Sequence, residues 1–159
     1  MRTSRKGWDA SVVGSGMTNT PDKIVYTARA HVTGGRAGQA RSDDGILDLA
    51  LTAPKATGGP GTGTNPEQLF AVGYGACFQG ALGLVAKKHG VDASQSIVET
   101  AVGFGPEGDS FAITVDITAT IPGVDDAKAQ ELVEAAHEVC PFSKATRGNV
   151  PVTVKGVGA

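Results

Sequence analysis

Apolar and polar positions alternate early in the chain. Ile24, Tyr26, Ala28, Ala30 and Val32 are interleaved with Thr27, Arg29 and His31, the period of two that marks a half-buried strand. The glycine-rich run Thr33 to Gly38 interrupts it. A strand pair follows over Gln39 to Arg41 and Ile46 to Leu51, joined by the turn residues Ser42 to Gly45. Next comes a long Gly/Thr-rich loop, Ala53 to Thr64, of a kind that is often functional in a small domain. The pattern then turns helical: Thr64 or Asn65 caps, Pro66 suits the first turn, Glu67 or Gln68 completes a capping box, and Gly90 stops a helix that runs to about Lys88. Gly73 and Gly75 predict an interruption in that helix.

Two more strands, Ile97 to Gly105 and Phe111 to Ile121, form an antiparallel pair around the turn Pro106 to Ser110. The second carries Phe111, Ile113, Val115, Ile117, Ala119 and Ile121 on one face. A second helix lies within Pro122 to Phe142. Its stripe is Ala129, Leu132, Val133, Ala136, Val139 and Cys140, and Pro141 forces its end. Val150, Val152 and Val154 make a last strand. The fold class is α+β, with antiparallel strands packed on two main helices. One domain spans residues 23–159, preceded by an extension, residues 1–22, that is either flexible or docked through the sole tryptophan, Trp8.

Composition narrows the partners. With 159 residues, 40% of them hydrophobic and 19% charged, the chain suits one soluble core. The apolar stretch Leu69 to Ala86 is broken by glycines and Gln79, and the N-terminus has no apolar secretory segment, so the expectation is a cytoplasmic protein with no membrane contact. A net charge of -2 with only 14 basic residues leaves no electrostatic footprint for nucleic acid.

Chemistry centres on two cysteines. Cys77 reads either as a small core hydrophobe or, if the helix breaks at Gly73 to Gly75, as a thiol in a new first turn, where free N–H groups and the helix dipole favour the thiolate. Cys140 has the same two readings, and His137 shares its helix face at i,i+3. His31, His89 and His137 are scattered and the cysteines have no zinc spacing, so no metal site is expected. Arg36 sits in "TGGRAG", a turn that can present a guanidinium, and Glu67 reads as an ordinary capping-box acid. The loop "GGPGTGTN" lacks the Gly-Lys-Ser/Thr ending of a phosphate-binding loop.

Three segments in order, "YTARAHVTGGRAGQARSDDGILDLAL", "TNPEQLFAVGYGACFQGAL" and "VCPFSKATRGNVPVTV", resemble the organic hydroperoxide resistance proteins within the OsmC-like superfamily, over roughly Lys23 to Val154. That resemblance implies an intertwined homodimer with active sites at the subunit interface, and a cysteine-based peroxidase with no bound cofactor, reduced by dihydrolipoyl groups on a partner protein. By position, Cys77 resembles the peroxidatic cysteine, Cys140 the resolving one, and Arg36 and Glu67 the ion pair that activates the thiolate. The extension is longer than the family commonly carries, and Gly75 stands where serine or alanine is frequent.

A thiolate cleaves the O–O bond, and a guanidinium favours both the thiolate and the charge on the leaving oxygen. Continuous helix would set Glu67 about 15 Å from Cys77, so one arginine touching both requires the predicted break. Leu69, Phe70, Phe78, Phe142 and Tyr74 are candidates to line an apolar site for organic hydroperoxides. A weaker OsmC-type peroxidase, or a redox-sensing or small-ligand-binding protein without turnover, is the alternative.

Overall fold

The computed structural model describes residues 18–159. Trp8, and with it the docking of the extension, lies outside these residues.

Two three-stranded sheets and three helices make up the described chain. Strands β1 (Ala30–Thr33), β2 (Gln39–Ser42) and β3 (Asp48–Ala50) form one antiparallel sheet in that order. The expected first strand is much shorter than its alternation suggested. Ile24 to Arg29 pair with no strand, and Ile24, Val25 and Tyr26 are exposed. Every residue of β1 is likewise exposed, whereas Ala40 of β2 and Leu49 of β3 are half-buried.

The core lies between α1 (Pro66–Lys88), α2 (Asp126–Val139) and the second sheet, ordered β4 (Ile97–Glu107), β5 (Ser110–Ile121), β6 (Val152–Gly158). Along β5 the inward row Val115, Ile117, Ala119 and Ile121 is buried, while Phe111 at the strand's start is not. From α2 the row Ala129, Leu132, Val133 and Ala136 meets it, as the 3.6-residue period requires. The antiparallel reading fails for one pair. β6 runs parallel to β5, with Val115 opposite Val152 and Ile121 opposite Gly158. The connection between them is long enough to cross over because it carries α2 and a short third helix, α3 (Pro141–Thr146).

Helix α1 does not break. It runs unbroken for 23 residues, with Asn65 as N-cap accepting from the Gln68 backbone N–H and Pro66 in the first turn. Gly73 and Gly75 serve close approach instead. A Cβ at Gly75 would lie 2.8 Å from Thr100 Oγ1 on β4, and one at Gly73 would touch the Phe142 ring at 3.5 Å. By length and composition α1 is apolar enough to cross a bilayer, a test that the core helix of a globular protein passes as well. Its inward row of Tyr74, Phe78, Leu82 and Val85 is buried in the core. The outward row of Leu69, Val72, Ala76, Gly80 and Gly83 is apolar or small and exposed.

Candidate active site

The two cysteines meet where α1 passes the junction of α2 and α3. Cys77 sits in the middle of α1, not in a first turn, and is partly buried. Cys140 is fully buried at the corner between α2 and α3, where Pro141 both ends one helix and opens the next. The Cys140 thiol points at Cys77, with the sulfurs 3.7 Å apart. A disulfide requires about 2.0 Å, so a small approach closes it. Burial pushes the Cys77 thiol above its ordinary pKa, the Phe142 backbone N–H in the first turn of α3 pulls it back toward the thiolate, and Cys140 alongside raises it again.

Aromatic side chains flank the thiols. Phe70, Tyr74 and Phe142 form a cluster with ring centroids 5.7 to 6.4 Å apart. Phe142 and Leu69 remain partly exposed, whereas Phe78 is fully buried in the core. Tyr74 is buried too, its hydroxyl donating to Ser143 Oγ at 2.9 Å and lying 3.1 Å from Thr146 Oγ1. That pair of contacts fastens α3 to α1 beside the cysteines.

Arg36 and Glu67 come together at the N-terminal end of α1. Arg36 lies in a single 3-10 turn, Gly35–Ala37, whose entry needs positive φ at Gly34 (70°) and Gly35 (55°), a conformation glycine adopts without cost. Its guanidinium grips Glu67 with both ends, Nη1 to Oε2 at 2.8 Å and Nη2 to Oε1 at 2.5 Å. The hydrogen bond from Arg36 holds the Glu67 carboxyl below the usual carboxylate range, and the same contact raises the guanidinium further. The guanidinium also lies 4.8 Å from the centroid of the Phe104 ring, a residue that the sequence offered no reason to single out.

One chain therefore brings its site residues together as two pairs. Because α1 is continuous, Glu67 and Cys77 stand about 15 Å apart along it, and the broken-helix route to a single cluster is overturned. His137 Nδ1 is buried without a hydrogen-bond partner among the described residues; burial and the nearby Arg147 lower the imidazole pKa, and Arg147 donates to the His137 carbonyl. A helix N-terminus does face Cys77, but it belongs to α3. Pro141 was its signal, since proline favours the first position of a helix as much as it ends the preceding one. Among the described residues no cluster of His, Cys, Asp or Glu is arranged to hold a metal ion.

Comparison with known proteins gives one answer. Residues 59–155 match the family model for OsmC-like protein. The organic hydroperoxide resistance protein of Xanthomonas axonopodis pv. citri is 47% identical over 137 residues, covering 85% of this chain and 96% of that one. The organic hydroperoxide resistance protein OhrB of Bacillus subtilis is 48% identical over 132 residues, covering 82% and 97%. The crystal structure of that OhrB superposes with a TM-score of 0.76 at 49% identity, covering 83% of this chain and 98% of the other. An organic hydroperoxide resistance protein from Elizabethkingia anophelis, crystallised with thiocyanate bound, gives 0.80 at 44% identity, covering 86% and 99%. With a family model spanning more than half of the chain, and relatives near half identical along almost their whole length, the chain belongs to the organic hydroperoxide resistance family of OsmC-like proteins.

Proposed function

We propose that the protein is a thiol peroxidase that reduces organic hydroperoxides to alcohols. The observation that carries this reading is the 3.7 Å approach of a buried Cys140 to a Cys77 that reaches the surface. The Cys77 thiolate attacks the distal peroxide oxygen. The O–O bond breaks, the alkoxide takes a proton to leave as the alcohol, and Cys77 becomes a sulfenic acid. The Cys140 thiol then displaces hydroxide from that sulfur, releasing water and forming the Cys77–Cys140 disulfide. A dithiol returns both cysteines to thiols; the family resemblance points to dihydrolipoyl groups on a partner protein, and no bound cofactor is needed. Phe70 and Phe142, clustered on Tyr74 about one turn before Cys77, suit an alkyl or aromatic hydroperoxide better than hydrogen peroxide, and Leu69 stands exposed about two turns before Cys77.

The activating ion pair comes from a second copy of the chain. The exposed strand β1, the exposed Ile24 to Tyr26 and the outward row of α1 together present more apolar surface than a monomer normally leaves wet. A helix that is apolar on all sides belongs in an interior. Ala76, Gly80 and Gly83 leave room for another backbone to approach closely. If α1 pairs antiparallel with its copy about a two-fold axis near Val72, Glu67 of one chain comes level with Cys77 of the other, since each lies five residues from Val72. The partner's Arg36 is then the cation that offsets the burial of Cys77.

The test is turnover. With dihydrolipoamide supplied, the wild-type protein should consume many equivalents of cumene hydroperoxide, and hydrogen peroxide far more slowly. Cys77→Ser should consume none, and Cys140→Ser should react once and then over-oxidise at Cys77, seen by mass. Consumption that stops at one equivalent in the wild type would make it a redox sensor instead.

A further inference from the structure

We propose that Phe104 is a positioning residue for Arg36, fixing the plane of the guanidinium so that its free N–H groups face the reacting sulfur and peroxide. The inference rests on the role given to Arg36 above.

Arg36 needs such a support. Its backbone is a three-residue turn entered through two glycines, and none of that turn's residues is buried, so its own element does not orient the side chain. A guanidinium carries five N–H donors, all in its plane. Glu67 takes one from each of Nη1 and Nη2, which leaves three. The carboxylate fixes one edge but leaves the group free to tilt. The Phe104 ring centroid, 4.8 Å from the guanidinium carbon that lies over it, restrains the group without taking a hydrogen bond, because a ring face attracts the cation through its quadrupole.

The ring is itself held. On the β4–β5 ladder Phe104 pairs with Ile113 and Phe111 with Pro106, which sets the two rings on the diagonal of one face. They stack at 4.9 Å with planes 11° apart. Phe104, Val102 and Thr100 follow at every second position of β4 and, with Glu67 and Ala71 of α1, wall a cavity of about 380 Å³. The aromatic support is therefore part of the same wall as Glu67, the carboxylate that Arg36 grips.

The experiment compares Phe104→Leu and Phe104→Tyr with wild type and Arg36→Ala, using kcat/KM for cumene hydroperoxide with dihydrolipoamide and the pH profile of iodoacetamide alkylation at the Cys77 peptide, resolved by mass. Phe104→Leu should lower kcat/KM roughly 3- to 10-fold and move the onset of alkylation to higher pH, the direction given by Arg36→Ala. Phe104→Tyr, which keeps the aromatic face, should restore both. In the double variant Phe104→Leu adds nothing to Arg36→Ala. A Phe104→Leu protein with the wild-type onset while Arg36→Ala shifts it would remove the positioning role alone. An onset unmoved by Arg36→Ala would instead remove the activating role of Arg36 on which it rests. Alkylation needs no peroxide, so it decides on Phe104 even where turnover fails.

Discussion

The Tyr74 hydroxyl donates to Ser143 Oγ at 2.9 Å, joining α1 to α3 three residues before Cys77 and three after Cys140. Both groups are fully buried, so the bond has no water to replace it. Tyr74→Phe leaves the Ser143 hydroxyl without this partner and should cost about 1–2 kcal/mol, read as a lower urea midpoint at unchanged slope. Disulfide closure after one equivalent of hydroperoxide should slow in the same protein, because α3 is no longer pinned. An unchanged midpoint would show that the bond contributes nothing.

The approach of α1 to β4 makes a coupled prediction. Gly75→Ala improves helix propensity by about 1 kcal/mol but places a methyl 2.8 Å from Thr100 Oγ1. The Thr100 hydroxyl is buried without a hydrogen-bond partner, so the crowding adds to an existing cost. We expect Gly75→Ala to be destabilising beside Thr100 and stabilising in a Thr100→Ala background. Additive effects in the double-mutant cycle would refute the contact.

An interface at α1 can be broken from outside. Val72 is 73% exposed in the single chain, so Val72→Glu costs the monomer little while burying a carboxylate in the proposed dimer. Sedimentation should show a shift to monomer. Alkylation of Cys77 should then begin at higher pH than in wild type, since burial raises the thiol within one chain and the partner's Arg36 no longer opposes it. A monomer with the wild-type onset would mean that activation arises within the chain.

Acid stability reports on the other pair. The hydrogen bond from Arg36 depresses the Glu67 carboxyl, so its contribution is present above the unfolded value of about 4.3 and is lost as pH falls through the folded one. Glu67→Gln should lower stability at pH 7 by no more than about 1 kcal/mol, because the arginine is half exposed and solvent screens the pair. The two proteins should converge below the folded pKa of Glu67, and added salt should narrow the gap at pH 7. Urea midpoints across that range decide it; a constant gap would mean that Glu67 acts through packing and not through charge.

What the residues revealed in advance depended on how local the cause was. The alternating row of β5 and the stripe of α2 follow from periodicity, and both bury along most of their length, with Phe111 at the start of one and Val139 near the end of the other left exposed. The two cysteines stood out by their rarity and their setting. Gly73 and Gly75 misled because a glycine in a helix signals either a break or a close neighbour, and the neighbour of Gly75 is Thr100 on another element. Pro141 was read only as an ending, although the same ring opens α3. The direction of β6 depends on a crossover whose path no local window contains. Phe104 was invisible for a similar reason: its meeting with Arg36 joins distant parts of the chain through the sheet.

The parallel placement of β6 has a consequence for the order of assembly. Cys140 lies inside the crossover that β6 closes, between α2 and the last strand, and its place beside Cys77 joins residues 63 apart in the chain. Such pairings form late, after shorter loops have closed. During synthesis and refolding both thiols exist before they are neighbours. We expect the two thiols to become lasting neighbours only as this crossover closes and Val152–Gly158 docks along β5.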